Sequence, residues 1–299
     1  MSDLEVYRTM PEWSAQTLPK VFQKKHNTKE GTWARLVVSA GALRFTLLTE
    51  DGEVLSSRVV DAASGPLLVE PGEWHRVEPV DDACRCELSF LCEPSRYMEK
   101  KHKLTAPHSE VRAHLAELEA ATGRTLLDLG SGRGRNSFLL AQRGFEVTAV
   151  DRSEDAVAKL RGIQEAERVD FPSRVYDIND AALARVLPSG EVDHIVSTVV
   201  FQFLDAARVP SVIEDMQAVT RPGGLHLIVA PITSDELPCP IAFPFVFASG
   251  ELRENYRGWE LLSYEETVGE FHKLDENGDR YVSGFGALLA RKPMAAEVR

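Results

Sequence analysis

The stretch LLDLGSGRGRNS, residues 126–137, holds the residue types best suited to chemistry. Gly130, Gly132 and Gly134 follow an apolar strand and open a helix. Glycines there permit a tight turn and let a ligand approach the backbone closely. Asp151 ends the next strand about 20 residues on, where a carboxylate can meet a ribose diol. A dinucleotide loop reads GxGxxG; here the third glycine comes one residue early. Asp128, at the strand's end, opposes a phosphate and favours an ammonium. Ribose, cationic amino-acid part and no phosphate describe S-adenosylmethionine, and a nicotinamide dinucleotide ranks below it. The next strand ends VYDI, so Asp177 is placed to accept from an adenine amino group and the Ile178 backbone to meet the ring edge. The following strand ends STVVFQF at the switch point of an open α/β sheet, which puts Ser197 and Thr198 near a reacting methyl. For Ser197, ordinary polarity at a strand end explains the residue equally well.

A second cluster sits near the C-terminus in VGEFHKLDENGDRYVSGFGALLAR: His272, Lys273 and Arg280 flank Asn277-Gly278. Asn-Gly is a strong hairpin signal and fits a two-residue type I′ turn. DENGDR lacks the spacing of a calcium loop. A two-residue turn sets Asp275 opposite Arg280 and Lys273 opposite Val282. Lys273 and Arg280 then share one face, and His272 points to the other. Convergence of all three cations needs a longer loop or a bulge. From these residues alone, a solvated tip is the favoured reading.

These side chains need a scaffold, and the rest of the chain describes one. Of 299 residues, 43% are hydrophobic and 27% charged, as in a globular protein. The net charge of −12 disfavours broad nucleic-acid binding. No apolar run approaches the roughly 18 residues of a membrane span, and MSDLEVYRTMPEW lacks the pattern of a secretory signal. Cys84, Cys86, Cys92 and Cys239 lack zinc-finger spacing and read as reduced, packed thiols in the cytoplasm. Residues 1–95 alternate apolar and polar positions and predict an all-β sandwich. Residues 96–299 alternate strand and helix, with Ser109 as a candidate N-cap and AALARVL as a short helix, and predict a parallel α/β sheet. PITSDELPCPIAFPFVF, rich in Pro and Phe, reads equally as a packed connection or as a wall that excludes water.

The order of elements resembles a class I S-adenosylmethionine-dependent methyltransferase. DLGSGRGRNS, STVVFQFL, RPGGLHLIVAPITSDELPCP, GELRENYRGWELLSYEETVGEFHK and DENGDR together resemble the tellurite-resistance methyltransferases of the TehB family. MPEWSAQTLPKVFQKKHNTKEGTWARL and VEPGEWHRVE are similar to the β domain of that family's longer members. The resemblance implies a Rossmann-like, seven-stranded sheet whose last strand runs antiparallel, with the hairpin supplying the final two strands. It implies S-adenosylmethionine as cofactor, bound by Asp128, Gly130, Gly132, Gly134, Arg135, Asn136, Asp151, Arg152, Asp177, Ile178, Ser197 and Val199. It implies His272, Lys273, Arg280 and Ser197 in catalysis or oxyanion binding, with tellurite or selenite as substrate. Lys273 stands where the family often has Arg, keeping charge but losing the bidentate fork. Another small thiol or carboxylate substrate is the alternative, followed by a ligand-sensing module without turnover.

In the β domain, EPGEWHRVEP looks like the second half of a cupin motif. His26, His75 and Glu70 are the candidate ligands, but the HxH pair of the first half is missing, so no metal is expected. Oxyanion binding, shielding of the site and pairing into a homodimer remain open roles for this domain.

Overall fold

The computed structural model describes residues 4–180 and 182–294. The chain divides between Ala106 and Pro107 into two compact units.

In the first unit, period-two patterning produces strands with one buried face. Ala34, Leu36 and Val38 alternate inward along Trp33–Ala40. The strands are β1 (Glu5–Thr9), β2 (Trp13–Ser14), β3 (Trp33–Ala40), β4 (Ala42–Leu48), β5 (Val54–Asp61), β6 (Leu67–Val69), β7 (His75–Pro79) and β8 (Arg85–Cys92). One sheet runs β1-β8-β3-β6 with β2 beside β8, and the other runs β5-β4-β7; every pairing is antiparallel. Leu36, Val38 and Leu88 from the first sheet share a core with Leu43, Phe45, Val60 and Val77 from the second, which makes the unit a β-sandwich. Helix α1 (Tyr97–His102) closes it. All four cysteines are free, and Cys84, Cys86 and Cys92 are buried. Burial pushes the Cys86 thiol up to about 12, so it is not nucleophilic near neutrality.

The second unit opens with α2 (Ser109–Ala113) and α3 (Leu115–Ala120). Strands and helices then alternate: β9 (Thr125–Leu129), α4 (Arg135–Gln142), β10 (Glu146–Asp151), α5 (Glu154–Glu167), β11 (Ser173–Val175), β12 (Val192–Thr198), α6 (Val209–Val219) and β13 (Thr220–Thr233). Short β14 (Phe247–Ala248), α7 (Glu251–Glu254) and the hairpin β15 (Glu260–Leu274) and β16 (Arg280–Arg291) follow. The sheet order is β11-β10-β9-β12-β13-β16-β15, with β14 beside β13. The strands from β9 to β13 pair in parallel, and β16 runs antiparallel to both neighbours. The expected seven strands are present, and β14 adds an eighth. The order reverses between β9 and β12, which opens a crevice at their C-terminal ends. At the opposite end, Asp193 accepts from Thr125 Oγ1 at 2.7 Å and Arg221 Nη1 at 3.0 Å, tying three strands together away from that crevice.

Two local expectations change, and one turn-like string joins a strand. Of AALARVL, Ala181 lies outside the described residues, and Leu183–Arg185 forms a 3-10 turn whose Leu183 N–H donates to Asp215 at 2.6 Å. RPGG belongs to β13, whose pairing with β12 is irregular between Thr220 and Leu225. The N-cap of α2 is His108, not Ser109: the His108 ring accepts the Glu110 N–H at 3.2 Å.

Candidate active site

The loop after β9 turns on glycine. Gly130 has φ +74°, and a Cβ there would lie 2.2 Å from Val200 Cγ2. Val200 follows Val199, which holds φ +59°, a conformation β-branched residues rarely adopt. Val199 keeps it because its N–H donates to Val229 O at 2.7 Å and its carbonyl accepts from Gln202 Nε2 at 2.9 Å. The glycine loop and the bend after β12 therefore interlock. Gly130→Ala is expected to lose about 2 kcal/mol or more from overpacking and positive φ together. A thermal melt should show this as a midpoint several degrees lower; an unchanged melt contradicts the interlock.

Beside this loop is a cleft of about 230 Å³, lined by Gly130, Asp151, Asp177, Ile178, Val199 and Phe203 among others. Asp151 Oδ2 accepts the Gly132 N–H at 2.8 Å, and Oδ1 accepts the Ser153 N–H at 2.9 Å. The carboxylate is thus fixed at the cleft's edge by both flanking turns. Asp177 Oδ1 accepts from the Asn179 backbone at 3.0 Å, which orients it at the tip of its strand. Arg152 packs over the Phe203 ring at 5.7 Å and donates to its carbonyl at 3.3 Å. Phe203 keeps 44% of its surface exposed and gives the cleft a flat apolar wall.

Asp128 lies beneath the loop, 1% exposed, accepting from Ser137 Oγ at 2.5 Å. Burial raises its pKa to about 6, against the pull of Ser137 and the Arg135 guanidinium. Arg135 begins α4 and is half-buried beside it. Together they are a buried carboxyl and a cation, side by side at the head of the glycine loop.

Asn136 is 3% exposed and bridges elements: its Oδ1 accepts the His108 N–H at 2.9 Å, and its Nδ2 donates to Thr198 Oγ1 at 3.1 Å. It thereby pins His108 next to the loop. The His108 pKa falls to about 4, first from burial, then from Arg135, His272 and Arg112. Arg135, His272 and Arg112 are thus all within electrostatic reach of His108, and Arg112 and His272 are exposed. With Nδ1 accepting a backbone N–H, neutral His108 carries its proton on Nε2, as a donor.

The hairpin departs from its expected form. Leu274 pairs with Arg280 and Glu270 with Val282, so Phe271, His272 and Lys273 together oppose Tyr281 in a wide bulge. The connection is five residues, 275–279, not a two-residue type I′ turn. Asp275 Oδ1 accepts the N–H groups of Asn277 at 2.8 Å and Asp279 at 2.9 Å, and this carboxylate cap lengthens the loop. Lys273 therefore does not face Val282, and Asp275 does not face Arg280. The bulge leaves Phe271 buried and His272 exposed, within electrostatic reach of His108. Lys273 Nζ lies 5.8 Å from the Tyr281 ring centre, and Arg280 reaches Glu270 at 3.7 Å with half its side chain exposed. The three cations do not converge. Ser197 also stands apart from the cleft: it is 0% exposed, and its Oγ is enclosed in the sheet without a hydrogen bond. Its backbone pairs with Ile228 of β13.

The Pro- and Phe-rich segment links cleft to hairpin. Phe243 meets Phe203 edge-on at 5.7 Å and Phe271 at 5.4 Å, and Phe271 meets Phe285 at 5.0 Å. This aromatic row positions the bulge that carries His272.

With this geometry in place, comparison with known proteins is direct. The family model described as tellurite resistance protein TehB matches residues 90–289, and the TehB-like domain model matches residues 8–88. The chain belongs to the TehB family. It is 43% identical over 291 residues to a probable S-adenosyl-L-methionine-dependent methyltransferase TehB of Haemophilus influenzae, covering 97% of this chain and 99% of that one. It is also 43% identical over 246 residues to hemagglutinin 1 of Eikenella corrodens, covering 82% of this chain and 79% of the other. The crystal structure of TehB from Haemophilus influenzae superposes with a TM-score of 0.82 at 44% identity, over 97% of this chain and 98% of that chain. The TehB-family fold read from the sequence, a Rossmann-like unit after a β-rich one, is therefore established. What sequence reading missed in this TehB-family chain is His108, Arg112 and Phe203. STVVFQF carried Phe203 in plain view; His108 was hidden because nothing in APHSEVRAHL ties it to the loop 28 residues later.

Proposed function

We propose that the chain is an S-adenosylmethionine-dependent methyltransferase that methylates a small chalcogen oxyanion, tellurite first and selenite second. What supports this reading is His108, held by Asn136 beside the glycine loop and within electrostatic reach of Arg135, His272 and Arg112, in a TehB-family chain that is otherwise acidic.

The donor set fits the cofactor. Asp128 and Arg135 match the ammonium and carboxylate of an amino acid, and Asp151 at the cleft edge matches a ribose diol. Asp177 and Ile178 line the cleft's adenine end, with Phe203 and Arg152 as its wall. Gly130, Gly132 and Gly134 keep the backbone close, and Val199 shapes the far side. Asn136 acts through His108, as a positioning residue. When bound, S-adenosylmethionine supplies a methyl group already activated by a sulfonium.

The chain's own task is then positioning. His108 Nε2–H, His272, Arg112 and Arg135 hold the oxyanion by charge-assisted hydrogen bonds. Phe203, Phe243 and Phe271 exclude water beside them. A chalcogen lone pair attacks without losing a proton, so no residue is assigned as a general base. Lys273 and Arg280 add positive charge at the rim and contribute less than His272. We place the reaction in the cytoplasm; no helix among the described residues is long and apolar enough to cross a membrane.

The test is mass spectrometry of the mixture of purified protein, tellurite and S-adenosylmethionine. The expected products are the methylated tellurium oxyanion CH3TeO3− and one S-adenosylhomocysteine per methyl transferred; volatile tellurides form only after a separate reduction. Methylation of a thiol or carboxylate with none from tellurite moves the substrate to that class, and cofactor binding without turnover of any acceptor removes the enzymatic reading.

A further inference from the structure

The first unit encloses a cavity of about 970 Å³ that the reaction does not use. Sandwich interiors normally pack to organic-crystal density, with few voids larger than a water molecule. This volume lies instead at the upper end of small-molecule pockets, about 300–1,000 Å³. Its deep wall is apolar and drawn from both sheets: Trp13, Leu36, Phe45, Val77 and Leu88. His26 and His75 line it with ring centres 4.1 Å apart. Each ring's Nδ1 bonds a backbone carbonyl, Lys24 at 2.9 Å and Glu73 at 2.8 Å, so both Nε2 atoms are acceptors. Burial lowers both pKa values, His75 to about 4, so the pair is neutral at pH 7. Glu70, the third ligand a cupin-type metal would take, is turned away and accepts Trp33 Nε1 at 2.5 Å. Among the described residues no group of three ligating side chains could hold a metal ion.

The accessible side of the cavity is basic. Arg8, Lys29, Lys100, Lys101 and Lys103 line it, against one carboxylate, Glu99, which Arg96 engages at 3.1 and 3.2 Å. Arg8 and Lys29 are exposed, and neither makes an ion pair among the described residues. Lys100 is half-buried and donates to Glu30 O at 2.9 Å and Thr32 Oγ1 at 2.8 Å, which leaves one of its three protons. Five cations on one pocket are unexpected in a chain of net charge −12.

We propose that the N-terminal β unit is a binding site for an amphipathic organic anion, an apolar body seated between the sheets with a carboxylate at the Arg8–Lys29–Lys100 mouth. The apolar wall takes the body, the neutral imidazoles accept from any hydroxyl it carries, and the lysines and arginine hold the anionic end. This site is independent of the methyl-transfer reading.

The full chain is titrated with the neutral fluorophore N-phenyl-1-naphthylamine, which is then displaced by decanoate and, separately, by decanol. Decanoate is expected to displace the probe at least tenfold more effectively than decanol. In the double variant Arg8→Glu with Lys29→Glu, both exposed, that preference should vanish while decanol displacement stays within twofold. Leu36→Trp, which fills the cavity, should abolish probe binding; unchanged S-adenosylhomocysteine affinity shows that the second unit stays folded, and the surface double variant decides the case if the filled one does not fold. Equal displacement by decanoate and decanol, no probe binding, or an unaltered preference in the double variant overturns the proposal.

Discussion

His272→Ala is expected to lower kcat for tellurite methylation by about 10²-fold, the usual effect of removing one preorganised donor from a developing charge. Affinity for S-adenosylhomocysteine should stay within twofold, because His272 does not line the 230 Å³ cleft. Arg280→Ala should cost less than tenfold, since its guanidinium is half-exposed and paired with Glu270. Steady-state kinetics with calorimetry on both variants separate the two. A larger loss at Arg280 than at His272 would return the catalytic role to the hairpin's outer cations. Phe243→Ala should mimic His272→Ala in part, about tenfold in kcat, because Phe271 would lose the ring that steadies the bulge.

The second large effect is on pH. The Asp128 carboxyl is raised from 3.8 to about 6 in the folded chain. A folded pKa above the unfolded one means the native state holds its proton more tightly. This group therefore costs nothing below pH 4 and costs stability progressively between pH 4 and 6. The shift of 6 minus 3.8 corresponds to about 3 kcal/mol above that window. An ammonium bound beside Asp128 favours the carboxylate and offsets this cost. Cofactor affinity should therefore rise with pH, by about fivefold between pH 5 and 6 and about tenfold between pH 5 and 7, and level off above 7. His108, already neutral above pH 5, contributes little to that profile. Asp128→Asn should bind S-adenosylhomocysteine more weakly and with a flat profile. An equally steep profile in that variant would sink the assignment of Asp128 to the ammonium. Calorimetry across pH 5–8 reads all of this.

Much of the fold was legible because it rests on local pattern. The alternation in WARLVVSA buried Ala34, Leu36 and Val38 on one face, as period two requires. The apolar strand TLLDL, three glycines and an acid about 20 residues on specified the strand–loop–helix that carries Asp128 and Asp151, since each step is a short-range constraint. The hairpin was not legible. Asn-Gly suggested a two-residue turn, but the Asp275 carboxylate capped two amides and opened a five-residue loop, and the three-to-one bulge re-aimed His272.

Family membership, the glycine loop and the succession of strands and helices could be read from the residues alone, because they depend on residues near each other in the chain. Long-range packing is what brings Arg112, Arg135 and His272 within electrostatic reach of neutral His108, from three separate segments, with Asn136 holding His108 beside the loop. It also buries Ser197 completely and leaves a cavity beside the packed core of the β unit. Side-chain convergence depends on long-range packing and register, and a one-residue change in pairing redirects every side chain after it.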